Sequence, residues 1–263
     1  MIRSMHSAAS GMEAMQTNID VIANNLANVN TTGFKKGRAE FQDLLYQAVR
    51  NPTVQRGGTV NQGRPVGVEI GMGTRLVATQ KIFEPGSMKQ TANPLDLSIE
   101  GPGFFRVRLP DNTFGYTRAG EFKVTPQGQV VTSAGHPLEP NIFVPPETIS
   151  LNIDSQGVIS SMLPGETDSV EIGRLELSWF TNPAGLVSHG NGLYLESETS
   201  GRPILGQPGR AGLGTIAQGM LEGSNVAVVE EMIDLIAAQR AYEINSRVIR
   251  TADEMLRDAS QLR

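Results

Sequence analysis

Residues 225–262 read NVAVVEEMIDLIAAQRAYEINSRVIRTADEMLRDASQL, without one proline or glycine. Such a run permits an unbroken helix of about 37 residues, roughly 55 Å long at about 1.5 Å per residue, against an average helix of about 11–12 residues. Ser224 or Asn225 is the expected N-cap. Glu230, Glu231 and Asp234 in the early turns, with Arg257 and Arg263 late, complement the helix dipole. Two adjacent apolar rows run along the helix. One holds Ile233, Ala237, Ile244, Val248, Met255, Ala259 and Leu262; the other holds Val228, Met232, Leu235, Tyr242, Ile249 and Leu256. Together they form a face wider than one partner helix covers, so the excess is expected to be buried by other subunits.

At the opposite end, Met5, Ala8, Met12, Met15, Ile19, Ile22, Leu26 and Val29 alternate steps of three and four. That spacing is a coiled-coil seam. Glu13, Gln16, Asn18 and Asp20 mark the polar face opposite. Methionine packs adaptably and alanine allows close approach, which suits either a helix meeting other subunits or one packed on its own domain. The helix is expected over residues 1–30, stopping near Asn28–Gly33, with Gly33 left-handed and Phe34 making an apolar contact beyond it. Asn24, Asn25 and Asn28 read either as fraying or as cross-helix hydrogen bonds that fix register.

Between the ends the chain reads as strands and turns. Tyr46–Arg75 is rich in Gly, Gln, Pro, Thr and Val and has no helical period. Tyr46, Val54, Val60, Val66, Val68 and Ile70 suit an extended strand or hairpin arm. Residues 95–200 repeat short strands bounded by turn residues, as in Phe104–Leu109, Tyr116–Arg118 and Phe122–Val124, and predict a β-meander with Trp179 and Phe180 in its core. The expected fold is α+β. Long N- and C-terminal helices (1–34 and 219–263) pair as a coiled-coil-like terminal assembly domain. An extended arm spans 35–90, including the stretch 46–75, and a central antiparallel β-rich domain spans 91–218.

Composition removes several chemistries. There is no cysteine, so disulfides, zinc thiolates and cysteine nucleophiles are excluded. A net charge of −5 argues against a general nucleic-acid binder. His6, His136 and His189 lack ligand-type spacing. Gly209–Gly214 is glycine-rich but fits neither a dinucleotide nor a P-loop pattern. Asp96 and Glu100 fall on one strand face and form a candidate carboxylate pair for glycosidic chemistry, although acidic pairs of this kind are common. Lys35, Lys36 and Arg38 read as a solvated loop or an intersubunit contact. No stretch approaches the ~20 apolar residues of a membrane span, and the N-terminus does not read as a cleavable signal peptide. No catalytic, cofactor or metal site is expected.

Three separated motifs carry a resemblance. Residues 18–35, NIDVIANNLANVNTTGFK, resemble the N-terminal signature of the bacterial flagellar rod and hook axial proteins. Gly219–Asn225, with QRAYEINS at 239–246 and TADEML at 251–256, resembles that family's C-terminal motif. GPGFFRV at 101–107 and YTRAG at 116–120 resemble its β-domain. Length and Tyr46–Arg75 point to the distal rod branch, whose extra stretch after the first helix stiffens a straight shaft. The resemblance implies a torque-transmitting helical homopolymer, with terminal helices lining the tube and the β-domain outward. It further implies type III export and a path across the periplasm to the outer membrane. Implied neighbours are proximal rod proteins, the hook protein and the ring proteins that act as bushings. Alternative readings are a proximal rod or hook subunit, or a cell-envelope glycan hydrolase using Asp96 and Glu100.

Overall fold

A computed structural model describes residues 2–50, 67–164 and 169–261. The chain divides into two compact units. A terminal unit is drawn from residues 1–26, 37–80 and 228–263, and a β unit from residues 27–36 and 81–227. The fold is α+β, with a helix at each end and strands between them.

In the terminal unit, α1 (Ile2–Ala27) and α2 (Val228–Gln261) run antiparallel. Asn25, late in α1, donates to Glu231, early in α2, at 3.1 Å. Gly11, early in α1, lies so near the middle of α2 that an added Cβ would sit 2.9 Å from Asn245 Nδ2. Glu231 and Asn245 belong to one row of α2 with steps of three and four: Glu231, Leu235, Ala238, Tyr242, Asn245, Ile249, Ala252, Leu256. Its buried members are Glu231, Ala238 and Ala252. On α1 the buried positions are Ala8, Ala14, Ile22 and Asn25. Most of these are small, which lets two backbones approach closely. α2 starts at Val228, beyond the N-cap expected at Ser224 or Asn225; Ser224 Oγ accepts Val226 N–H at 3.3 Å, and the Asn225 side chain bonds Lys36 N–H and Ile82 O.

The same unit carries four strands: β1 (Gly37–Asp43), β2 (Tyr46–Arg50), β3 (Val68–Gly71) and β4 (Thr74–Lys81). β1 pairs with β4, and β2 lies antiparallel to β3 with Tyr46 opposite Gly71 and Gln47 opposite Ile70. Thr74 N–H donates to Ser10 Oγ at 3.3 Å and ties the start of β4 to α1. Every residue of β2 is exposed, as are Val68 and Ile70. Val54, Val60 and Val66 lie outside the described residues.

The β unit begins with β5 (Met88–Gln90), β6 (Leu97–Glu100), β7 (Phe104–Arg108) and β8 (Phe114–Thr117). β7 and β8 form an antiparallel hairpin at the centre of a larger sheet that includes Leu177–Trp179 beside β7 and Leu193–Leu195 beside β8. Successive strand residues face opposite sides, and the Phe104–Phe105 pair uses both. Phe105 and Val107 enter an aliphatic core with Leu97, Phe122, Leu138 and Leu177. Phe104 enters an aromatic cluster with Tyr116, Phe180, Leu186 and Tyr194. The rings of that cluster meet edge to face, Tyr116 and Phe180 with centroids 4.7 Å apart. Burial on both faces explains why β7 is apolar at adjacent positions. Trp179 does not join the core as expected: it is exposed, while its neighbour Phe180 is fully buried.

Two further pairings bring distant chain together. β6 pairs antiparallel with Thr215–Gln218, and β5 with Met220–Glu222. The chain just before α2 is thereby woven into the β unit.

Candidate functional site: the joined chain ends

The residues predicted from the α1 seam all lose solvent. Ala8 and Ile22 are buried, and Met5, Met12, Met15, Ile19, Leu26 and Val29 are half-buried. The two rows predicted on α2 part company. Leu235, Ile249 and Leu256 are half-buried on the row that includes the α1 contacts, and Tyr242 is more open on that row. Val228, Met232, Ile233, Ala237, Ile244, Val248 and Met255 are exposed. Ile244 is 61% and Ile233 59% exposed, with Val229 and Ile236 exposed alongside them. Among the described residues, exposed apolar side chains therefore run along this side of α2, interrupted by Arg240 and Thr251.

Of the three asparagines, Asn25 is buried and Asn24 exposed, with Asn28 half-buried. Asn25 saturates its amide. Its Nδ2 donates to Gly37 O at 2.9 Å and to Glu231 Oε2 at 3.1 Å, and its Oδ1 accepts Gly37 N–H at 2.8 Å. It thus closes the twelve-residue excursion from Asn25 to Gly37 in the manner of a strand partner.

A second node, in the β unit, corrects the reading of Lys35 as a solvated or intersubunit residue. Lys35 is fully buried. Its Nζ donates to Glu84 O at 2.7 Å and to Glu222 Oε1 at 2.5 Å. The other oxygen of Glu222 faces Arg118 Nη1 at 3.4 Å, and both of those side chains are also buried. Arg118 braces the turn after β6, donating to Ile99 O at 3.3 Å and Gly101 O at 2.7 Å, and lies over the Phe104 ring. Burial depresses the Lys35 ammonium below its usual range, opposed by Glu222, and lowers the Arg118 guanidinium for the same reason. Asn225 completes the joint: its Oδ1 accepts Lys36 N–H at 2.7 Å and its Nδ2 donates to Ile82 O at 2.9 Å.

Gly33 makes this packing possible, for a reason other than helix capping. It lies six residues past the end of α1 at φ +67°, and an added Cβ would fall 2.5 Å from Ala119 N. Its own N–H donates to Glu222 O at 2.8 Å. Gly33, Lys35, Arg118 and Glu222 lie in separate sequence motifs, and the fold brings them together. No local pattern sets Lys35 apart from its basic neighbours Lys36 and Arg38.

The remaining candidates are scattered. Asp96 is buried and accepts from Asn93 Nδ2 at 2.8 Å, a turn-building bond, whereas Glu100 is exposed at the end of β6. His6 lies on α1 and His189 on the strand Val187–Gly190. His136 lines a groove of about 540 Å³ with Thr31, Thr32, Glu121, Ser133 and Asn191, where Thr32 Oγ1 donates to Glu121 at 2.6 Å. Among the described residues no helix is long and apolar enough to cross a membrane.

Antiparallel end helices with an exposed apolar stripe in one unit, and a β unit with its own buried polar node, carry no catalytic constellation among the described residues and define a structural class of protein. Comparison with known proteins names the family. The model described as Flagella basal body rod protein matches residues 5–35. That described as Flagellar hook protein FlgE/F/G D1 domain matches residues 98–161. The model for the flagellar basal body rod FlgEFG protein C-terminal region matches residues 217–262. The flagellar basal-body rod protein FlgG of Borreliella burgdorferi is 49% identical over 268 residues, covering 100% of this chain and 99% of the relative. That of Caulobacter vibrioides is 43% identical, with full coverage of both chains. A flagellar hook-basal body complex protein, FlhP of Bacillus subtilis, is 32% identical over 97% of each chain. The chain belongs to the flagellar distal rod protein family, the FlgG group, and is a structural rod subunit.

Proposed function

We propose that this chain polymerises helically into the rigid, hollow distal rod that transmits torque from motor to hook. In this reading residues 1–34 and 219–263 form the assembly domain, with α1 and α2 pairing in coiled-coil fashion along the tube wall. The arm 35–90 stiffens the shaft through its stretch 46–75, and residues 91–218 face outward. The observation that carries the reading is the open stripe of Ile233, Ile244, Val248 and Met255 on α2. A long helix with one row against α1 and a second row in water has an unsatisfied face of the kind that other copies cover. Asn25 fixes the register of the helix pair by its bond to Glu231. The partners beyond self are the proximal rod proteins, the hook protein and the ring proteins that act as bushings. The subunit is exported without a cleaved signal and stands in the basal body between periplasm and outer membrane. Its role is structural, not enzymatic.

The test is replacement of the cellular gene by one encoding Ile244→Asp. The reading predicts normal protein levels, no completed rod and loss of motility. Motile cells with intact rods would refute burial of this face.

A further inference from the structure

The buried node of Lys35, Arg118 and Glu222 has an unbalanced charge: two cations share one carboxylate. Each of the three family-model matches supplies one member, since Lys35 closes the first, Arg118 lies in the second and Glu222 in the third. We propose that the node is a conditional latch, in which the single carboxylate of Glu222 holds the segment Thr32–Lys36 on the β unit and lets that segment release as a body. This goes beyond the polymer reading and does not depend on it.

The docked and released states leave different charges buried. With the segment docked, Lys35 gives up its water for Glu222 Oε1 and Glu84 O. Glu222 Oε1 also accepts Gly86 N–H at 3.1 Å, while Oε2 has no hydrogen bond and only the 3.4 Å approach of Arg118. With the segment released, Lys35 regains full hydration, and Glu222 remains opposite Arg118 as a neutral pair. Release exchanges the Lys35–Glu222 ion pair for hydration of the ammonium and leaves one cation opposite one carboxylate, whereas loss of the Glu222 charge strands two buried cations. The segment's other ties to the β unit include Gly33 N–H to Glu222 O, Asn225 N–H to Phe34 O at 3.4 Å, Lys36 N–H to Asn225 Oδ1, Ile82 N–H to Lys36 O at 2.9 Å, Lys81 Nζ to Lys35 O at 3.2 Å and Thr32 Oγ1 to Glu121 at 2.6 Å, with Lys81 also over the Phe34 ring, and all of these must open together when it releases. Thr32, the first residue of the segment, also lines the groove that includes His136 and Glu121.

The latch makes an asymmetric prediction for one contact broken from its two ends. Lys35→Met leaves the neutral Arg118–Glu222 pair. Glu222→Gln leaves two buried cations without a counter-charge. Adding Lys35→Met to Glu222→Gln removes one of them.

The experiment is amide hydrogen exchange on full-length wild type, K35M, E222Q and K35M/E222Q, read at residues 30–36 and at the distal strands 150–162. E222Q is expected to speed exchange of 30–36 by about 100-fold, K35M by less than about tenfold, with the double variant slower than E222Q and 150–162 unchanged throughout. Equal effects of K35M and E222Q, or a double variant no slower than E222Q, would overturn the latch. If E222Q alone does not fold, a folded K35M/E222Q supports the latch and an unfolded one overturns it.

Discussion

Gly33 and Gly11 both sit where chain segments meet closely, yet a methyl group should affect them very differently. At Gly33 the φ of +67° already disfavours an L side chain, and the new Cβ would strike backbone at Ala119 N and Arg118 C. Gly33→Ala should cost more than ~2 kcal/mol in urea unfolding, since neither backbone atom can step aside. At Gly11 the nearest atom is the end of the Asn245 side chain, which can swing away. The alanine also gains up to ~1 kcal/mol of helix propensity, so Gly11→Ala should leave stability within about 1 kcal/mol of wild type. The tyrosines give a pH signature. Burial pushes the Tyr116 and Tyr194 phenols up to about 12. The unfolded chain releases those protons near pH 10. Between about pH 10 and 12 the folded state therefore holds more protons, and stability falls as pH rises, by roughly 2–3 kcal/mol per tyrosine across the window. Lys35 acts with the opposite sign: its lowered pKa makes stability rise with pH up to the unfolded value of 10.5. Urea unfolding from pH 9 to 11.5 should thus show the alkaline fall, and Tyr194→Phe should halve it. An unchanged slope would remove the assignment. These residues also mark where sequence reading stopped. The pairing of Lys35 with Glu222 spans 187 positions, and nothing in local periodicity reports a contact at that range.

At the scale of elements, the helices were the most legible part, because a seam with three-and-four steps has one physical meaning. The α1 seam loses solvent at every predicted position. What periodicity did not separate was which row of α2 meets α1, because the row that does so includes Glu231, Ala238, Asn245 and Ala252, residues a hydrophobic search passes over. Small and polar side chains fill the buried positions of that row, between half-buried Leu235, Ile249 and Leu256, whereas Ile233, Ile236 and Ile244 are exposed. Asn25→Ala should cost about 1–3 kcal/mol, since it strands Gly37 N–H and a buried Glu231 oxygen together. Asn24→Ala, at an exposed neighbour, is expected to cost less. Thermal unfolding of the two variants checks the pair, and equal losses would contradict the clasp. Among the strands, alternation identified β7 and β8 but misplaced Trp179. The strand Leu177–Trp179 has Phe104 and Phe105 as neighbours, and only its positions facing those rings are buried.

At the scale of the whole molecule, the N-terminal segment serves both units, so its removal should act in two steps. A chain beginning at residue 27 keeps Lys35 and should retain a folded β unit by near-ultraviolet circular dichroism. A chain beginning at residue 37 removes Gly33 and Lys35 from Glu222, and should lose protection around Met220–Glu222 even though every core strand from β5 onward is present. The same signal from both truncations would show that the segment adds nothing to the β unit. Sedimentation of full-length protein, with electron microscopy of the pellet, bears on the larger reading of α2. Wild type should form filaments, while Ile233→Asp/Ile244→Asp should stay a folded, soluble species with unchanged circular dichroism, because both side chains are exposed in the single subunit. Filaments from the double variant, equal in yield and form to those of wild type, would contradict the account.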